Sequence, residues 1–118
     1  MKQYSTIEII RALPLEDAVR TRLLETYPEM DSDAQLEIST ICWEAFHKMR
    51  AEIQRYWEER IMKEVADGTR KLEKAPDVTI YELVWEEIEN RMSGKVYDDA
   101  KLDAVRSQLQ KLIQGNPI

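Results

Sequence analysis

The sequence has few of the residues that form tight turns, crosslinks or metal sites. Its 118 residues include three glycines, four prolines, one cysteine and one histidine. So few glycines and prolines argue against many short strands joined by hairpins, and they favour helices joined by brief loops. The single cysteine, Cys42, excludes an intramolecular disulfide and a cysteine-based zinc site. We expect Cys42 to be a small buried residue in a reducing cytoplasm.

A long apolar run is also missing from the sequence. No stretch approaches the ~18 residues of a membrane span, and Met1–Arg11 has no signal-peptide pattern. Hydrophobic residues make up 43% of the chain and charged residues 34%, a composition typical of a globular protein. We therefore expect one cytoplasmic domain that spans residues 1–118 and does not contact a membrane.

Positive charge is not concentrated anywhere along this acidic chain, whose formal net charge is −6. A nucleic-acid-binding protein usually presents a basic face, but in the most basic part, residues 47–75, cations alternate with acidic residues such as Glu58 and Glu59. Nucleic acid is therefore not an expected partner. The remaining alternative is a small patch for nucleic acid or an acidic partner, formed by Arg50, Arg55, Tyr56 and Trp57.

The longest uninterrupted segment runs from Ser32 to Ala66 without glycine or proline, between Pro28 and Gly68. It predicts one central helix over about 32–67. At ~1.5 Å of rise per residue this helix would be ~52 Å long, whereas a compact chain of this length has a radius of gyration of ~13–14 Å. The helix must protrude, bend or be covered by a second copy of the chain.

Capping signals predict a pair of shorter helices before the central helix. Ser5 and Glu8 form a capping-box pattern that predicts a helix over about 6–12. Pro14 is expected in the first turn of a second helix, which ends near Tyr27. Ser32 with Gln35 is expected to open the central helix in the same way.

A second pair of helices is predicted after the central helix, which Gly68 is expected to end in the left-handed conformation. Thr79 is the predicted cap of a helix that reaches about Met92 before Ser93 and Gly94. Asp98 is the predicted cap of the last helix, which ends at about Gln114. The fold class is therefore all-α: a five-helix bundle-like domain around one long central helix, with short N-terminal and C-terminal helical pairs.

Apolar spacing indicates which helix faces are buried. On the central helix the core face comprises Ile38, Cys42, Ala45, Phe46, Met49, Ile53, Tyr56 and Trp57. Arg60 stands where this face would continue, and we expect Trp57, Ile61 and Val65 to take over there. On the fourth helix the apolar face comprises Ile80, Tyr81, Val84, Trp85, Ile88 and Met92.

Two further apolar faces are candidates for an interface. Leu36, Trp43, Ile61 and Val65 lie at least partly outside the core face of the central helix, and Trp43 is a typical interface anchor. The last helix repeats leucine and valine at coiled-coil spacing, which serves either packing within the chain or a seam between chains. The interface candidates are Trp43, Ile61, Val65, Leu102, Val105, Leu109 and Leu112.

One tetrapeptide has metal-ligand spacing. Glu44 and His47 lie three residues apart on the central helix and resemble one ligand pair of a ferritin-like di-metal carboxylate site. Such a site needs two pairs of this kind, and the chain has one histidine, so only a dimer could complete it. Both residues also lie opposite the core face, where we expect a solvated surface pair.

The acidic pairs of the chain resemble, in part, those with which all-α nucleotide pyrophosphohydrolases hold magnesium. Glu64 and Asp67 have the Glu-x-x-Asp spacing, and Glu86, Glu87 and Glu89 follow on the next helix. The order is reversed relative to that family, where the acidic pair precedes Glu-x-x-Asp. These residues and the Glu44–His47 pair define the alternative function, a metal-dependent carboxylate enzyme of the di-metal or magnesium-dependent hydrolase type.

The sequence favours a non-enzymatic helical module for protein–protein interaction or assembly. No glycine-rich loop could cradle a phosphate, since the glycines stand alone. Cys42 and His47 lie ~140° apart around one helix, so they cannot form a nucleophile pair. We expect no cofactor, and a partner that is either another protein or a second copy of the chain.

Overall fold

The computed structural model describes residues 3–94 and 102–114, and this part of the chain contains helices and no strand. The helices are α1 (Thr6–Ala12), α2 (Asp17–Thr26), α3 (Ser32–Ala66), α4 (Pro76–Met92) and α5 (Asp103–Gln114). A single turn of 3-10 helix, Tyr27–Glu29, joins α2 to α3. The predicted fold class, an all-α bundle-like domain around one long helix, is confirmed.

Helix α3 is uninterrupted and determines the shape of the molecule. The principal extents are 53 × 28 × 21 Å and the radius of gyration is 16.1 Å, above the ~13–14 Å of a compact chain of this length. The accessible surface is 7789 Å². A compact monomer of this mass would expose about 6,700 Å². The protein is therefore elongated, with one helix along its full length.

Several predicted helix ends are confirmed. Both hydrogen bonds of the capping box are present at α1, where the Ser5 side chain accepts from the backbone of Glu8 and the Glu8 carboxylate accepts from the backbone of Ser5. Gly68 and Gly94 follow α3 and α4 with positive φ angles of 76° and 84°. Glycine adopts this left-handed conformation without steric cost, so each can end a helix there.

Two predicted helix starts and one predicted helix cap are wrong. Helix α2 begins at Asp17, because residues 13–16 form a non-helical linker, buried as far as Leu15, instead of a first turn around Pro14. Helix α3 is capped by Asp31, whose carboxylate accepts from the backbone N–H of Ala34 at 2.8 Å. The predicted cap, Ser32, is the first helical residue.

The other wrong start is that of α4, which begins at Pro76 instead of after Thr79. Proline suits the first helical position, where its missing N–H leaves no hydrogen bond unmade and its φ angle is already helical. The predicted cap of the last helix, Asp98, lies outside the described residues.

Helices α1, α4 and α5 all pack against α3. Helix α4 runs back along α3, and its Trp85 stacks on Tyr4 at a ring distance of 6.0 Å. Tyr4 in turn lies 6.5 Å from the ring of Phe46 in the first half of α3. Helix α5 therefore starts near the middle of the molecule, and its Val105 and Leu109 lie beside Ala45. The length of α4 carries the chain back along α3 to this position.

The core contains most of the predicted apolar face of α3. Six of its members are buried, and Tyr56 and Trp57 are half-buried at its edge. Beyond Trp57 the buried position moves to Ile61, while Arg60 stays on the surface, as the drift of the apolar face predicts. On α4 the prediction fails for Tyr81, which is exposed although its neighbours on the face are buried or half-buried.

Candidate docking groove

An open groove of about 410 Å³ lies between α3 and the first half of α4. One wall is a row of side chains at four-residue spacing along α3, namely Arg50, Gln54, Glu58 and Met62. The other wall is formed by residues of α4, namely Pro76, Asp77, Ile80, Tyr81, Val84 and Trp85. Residues four apart on a helix project to the same side, so each wall is continuous.

The groove exposes large apolar side chains on both walls. Met62 is 71% exposed on α3 and Tyr81 is 64% exposed on α4. Between them the groove reaches half-buried Ile80 and Trp85 and buried Val84. Helix α4 contributes side chains from two adjacent rows, in which Val84 belongs to the core and Tyr81 is left exposed in the groove.

The floor of the groove is fixed by aromatic packing. The ring of Trp85 lies 6.1 Å from the ring of Tyr81 and 6.0 Å from that of Tyr4, stacked on the latter at an interplanar angle of 18°. Offset aromatic pairs at these distances are stabilising. The apolar surface at this end is thus held in place by Tyr4, which lies just before α1.

Charge differs between the two ends of the groove. Arg50 lies at the end near Trp85, where its side chain is half-buried. Glu58 and Asp77 lie toward the other end, beside Met62. Glu58 accepts a hydrogen bond from the Gln54 amide at 2.9 Å, and Asp77 accepts from the backbone N–H of Val78 at 3.0 Å. Both of these donors are neutral groups.

Behind the groove, the end of α3 carries a compact ion network. Arg60 Nη1 donates to the Tyr56 hydroxyl at 3.0 Å, and its guanidinium lies 5.1 Å from the ring centroid of Trp57. Arg60 and Arg70 both donate to the Glu64 carboxylate at 3.3 Å. The hydrogen bonds from Arg70, followed by those from Arg60, lower the pKa of Glu64. This network ties the segment after α3 back to the helix.

The structure divides the basic and aromatic residues that were a candidate patch for nucleic acid or an acidic partner. Arg50 lines the groove, whereas Arg55 pairs with Glu59 at 3.5 Å on another side of α3. Tyr56 and Trp57 both contact Arg60. The four residues therefore do not present one basic surface.

The predicted interface residues fall into two groups. Ile61, Leu102, Val105 and Leu109 are buried within the chain, so they offer no surface to a partner in this fold. The last three belong to the main core cluster, which shows that the coiled-coil spacing of α5 serves packing within the chain. Val65 is 45% exposed, Leu112 is 40% exposed and Trp43 is half-buried, so these three keep surface that a partner can reach.

The candidate metal ligands are not gathered into one site. Glu44 and His47 are both exposed on α3, and the His47 ring lies 6.1 Å from the ring of Trp43. Glu64, of the second acidic candidate, binds two arginines. Glu89 accepts from the Tyr4 hydroxyl at 3.4 Å. Within residues 3–94 and 102–114, no group of three or more His, Cys, Asp or Glu side chains could hold a metal ion.

Sequence reasoning missed the groove because it depends on how two helices pack. Tyr81 stood on a predicted core face and Met62 on no predicted face. The available signal was that α4 has apolar residues at adjacent pairs of positions, Ile80 with Tyr81 and Val84 with Trp85. Such a face is wider than one neighbouring helix can cover.

The fold and the groove define an elongated all-α domain with an exposed, partly apolar channel on one side. No family model, curated protein or solved structure matches this chain. None of the helices in the described residues has both the length and the apolarity needed to cross a bilayer. The function must therefore be argued from the surface itself.

Proposed function

We propose that this protein is a non-enzymatic helical module for protein–protein interaction or assembly, and that it binds its partner through the groove between α3 and α4. The observation that carries the proposal is the exposure of Met62 and Tyr81 on facing walls of one groove. Single exposed apolar residues are common on any protein surface. A continuous apolar channel rimmed by charge is typical of an interaction site.

The composition of the groove suits a protein partner. Tyrosine, tryptophan, methionine and arginine are the residues enriched in the centres of protein interfaces, and all four types line this groove. Two helices with an apolar channel between them are also the usual receptor for a third helix, which lays its own apolar face along the channel. We expect the partner surface to be an amphipathic helix.

We also propose that the protein is located in the cytoplasm. Cys42 is a free, buried thiol, and a reducing compartment keeps such a residue unmodified. Trp43, Val65 and Leu112 remain secondary interface candidates, since each retains some exposed surface. They lie outside the groove and are not part of the proposed contact.

The proposal is tested by photocrosslinking in the cells that naturally make the protein. A benzophenone amino acid is introduced at Tyr81 in one variant and at Met62 in another. The matched control is Leu36, which is 69% exposed on the same long helix but lies outside the groove. Adducts at Tyr81 and Met62, with few or none at Leu36, are the expected result. No adducts at either groove position, or equal adducts at all three, would contradict the proposal.

A further inference from the structure

We propose that the occupant of the groove is a second copy of this chain, docked so that its α3 runs antiparallel to the first. This inference rests on the proposed function and names its partner. The two copies would form a twofold dimer in which the α3–α4 faces pack against each other as a four-helix layer.

The distribution of charge along the groove is the first argument. Arg50 is a half-buried residue, and it makes no ion pair or hydrogen bond with any residue that the structure describes. Glu58 lies two further turns along α3, about 12 Å away at ~1.5 Å per residue, so Arg50 cannot reach it within the chain. Asp77 lies beyond it, at the start of α4. One end of the groove therefore has an unpaired cation and the other end has two carboxylates.

A twofold dimer can place these ends in two ways. If the twofold axis runs parallel to α3, the Arg50 end of one copy meets the Arg50 end of its partner, and like charges face each other. If the axis is perpendicular to α3, the partner runs in the opposite direction, and Arg50 faces the partner's Glu58 and the partner's Asp77. Like charges across an interface are strongly unfavourable, so the charges select the antiparallel arrangement.

The second argument is the amount of exposed surface. The chain exposes 7789 Å², about 1,100 Å² more than a compact monomer of its mass. A typical stable interface removes about 800 Å² from each partner. Docking of two copies along the groove would thus remove an area equal to most of this excess. It would also cover Met62 and Tyr81, the two most exposed apolar side chains of the groove.

The antiparallel arrangement predicts a specific pattern of charge-reversal effects. Arg50→Glu places a carboxylate opposite the partner's Glu58, and Glu58→Arg places a guanidinium opposite the partner's Arg50. Each variant alone should raise the dimer dissociation constant at least about tenfold, because the repulsion occurs twice in the twofold dimer. In an equimolar mixture of the two variants, a mixed dimer has opposite charges at both contacts. The mixture should therefore regain the affinity of the unchanged protein to within about threefold.

The experiment is sedimentation equilibrium of the purified full chain from about 1 µM to 1 mM, a range that detects dissociation constants of ordinary weak and moderate dimers. The control is Arg55→Glu, which makes the same charge change on the same helix. Arg55 lies outside the groove, where it pairs with exposed Glu59. This control should leave the dissociation constant unchanged. Circular dichroism establishes that each variant retains its helix content.

A chain that stays monomeric over the whole range would overturn the inference. So would charge reversals that weaken the dimer no more than Arg55→Glu does, or a mixture that fails to recover affinity. The two proposals fail in distinguishable ways. A monomeric chain whose Tyr81 position still crosslinks to another protein overturns self-docking and upholds the interaction module, whereas the absence of both overturns both.

Discussion

Arg91 and Ala12 are joined across 79 positions of the sequence by a buried hydrogen bond, in which Arg91 Nε donates to the Ala12 carbonyl oxygen at 2.8 Å. Ala12 ends α1 and leads into the non-helical linker to α2, and residues 12–15 are all buried. Arg20 and Arg106 complete the arrangement. Arg20 Nη2 donates to the carbonyl oxygens of Leu13 and Leu15, and Arg106 Nε donates to that of Pro14. Each backbone carbonyl of residues 12–15 is thus paired with an arginine side chain.

This arrangement explains how a buried irregular segment is tolerated. Buried carbonyl groups outside regular secondary structure need other donors, because an unpaired one costs free energy. The three arginines come from α2, α4 and α5, so the linker is held by three different helices. The same contacts fix the position of α4 relative to α1, and therefore the wall of the groove that α4 provides.

Replacing Arg91 with methionine should strongly destabilise the protein. The substitution keeps an unbranched side chain but leaves the buried Ala12 carbonyl without its donor, which we expect to cost about 2–3 kcal/mol of the free energy of unfolding. The measurement is urea denaturation followed by circular dichroism. Arg11→Met is the matched control, since Arg11 is exposed at the end of α1. It should change stability by less than about 0.5 kcal/mol. Equal effects of the two substitutions would show that the linker does not depend on Arg91.

Much of the fold could be predicted from local sequence. The capping box joins Ser5 and Glu8, and Gly68 ends the helix that directly precedes it. Both signals act between residues close in sequence, so both partners are visible in the local pattern. The start of α4 was misplaced because two signals competed, and Pro76 at the first helical position prevailed over Thr79. The roles of Arg91 and Arg106 could not be predicted, since their acceptors lie 79 and 92 positions away.

The candidate site was less predictable than the fold. Helical periodicity places Tyr81 on the apolar side of α4, but it does not show how far the neighbouring helix extends over that side. In the same way, the spacing of Leu102, Val105 and Leu109 is compatible both with packing within the chain and with a coiled coil between two chains. Only the position of α5 against α3 shows that these residues belong to the core.

Arg70→Gln should raise the pKa of Glu64 more than Arg60→Gln does. Arg70 donates from both Nε and Nη2 to this carboxylate, whereas Arg60 donates from Nε alone. The hydrogen bonds from Arg70 are also the largest cause of the lowered pKa. The carboxyl carbon of Glu64 is followed by NMR during a pH titration of the unchanged chain and both variants. An equal or smaller shift in Arg70→Gln would show that Arg60 dominates.

The lowered pKa of Glu64 also makes the stability of the folded chain depend on pH. Because the carboxyl group is more acidic in the folded chain than in the unfolded chain, its contribution is present at pH values above the unfolded pKa and is lost as the pH falls through the folded pKa. Residues 67–70 are tied to α3 through Glu64, whose backbone carbonyl accepts from Thr69 and Arg70. The hydrogen-exchange protection factors in this segment, which are corrected for the intrinsic slowing of exchange in acid, should therefore fall as the pH falls, and they should fall less in Arg70→Gln, where the contact is already weakened.

Cys42 should make the protein less stable as the solution becomes alkaline. Burial raises the pKa of its thiol from 9.0 to about 12. The folded chain therefore keeps the proton when the unfolded chain has lost it. Stability is independent of this group below pH 9 and falls as the pH rises toward 12, by at most about 1.4 kcal/mol per pH unit. Other groups titrate in this range, so the informative quantity is the difference between the unchanged chain and Cys42→Ala.

This difference should shrink or reverse between pH 8 and pH 10, because the variant loses a buried side chain but also loses the titrating thiol. Ile53→Val is the control, since Ile53 is buried on the same helix and its substitution removes one methylene without removing a titrating group. Its stability relative to the unchanged chain should not vary with pH. The free energies are measured by urea denaturation at each pH. A pH-independent difference for Cys42→Ala would mean that the thiol ionises in the folded chain as easily as in the unfolded one, and hence that water reaches it through the contact between α3 and its neighbours.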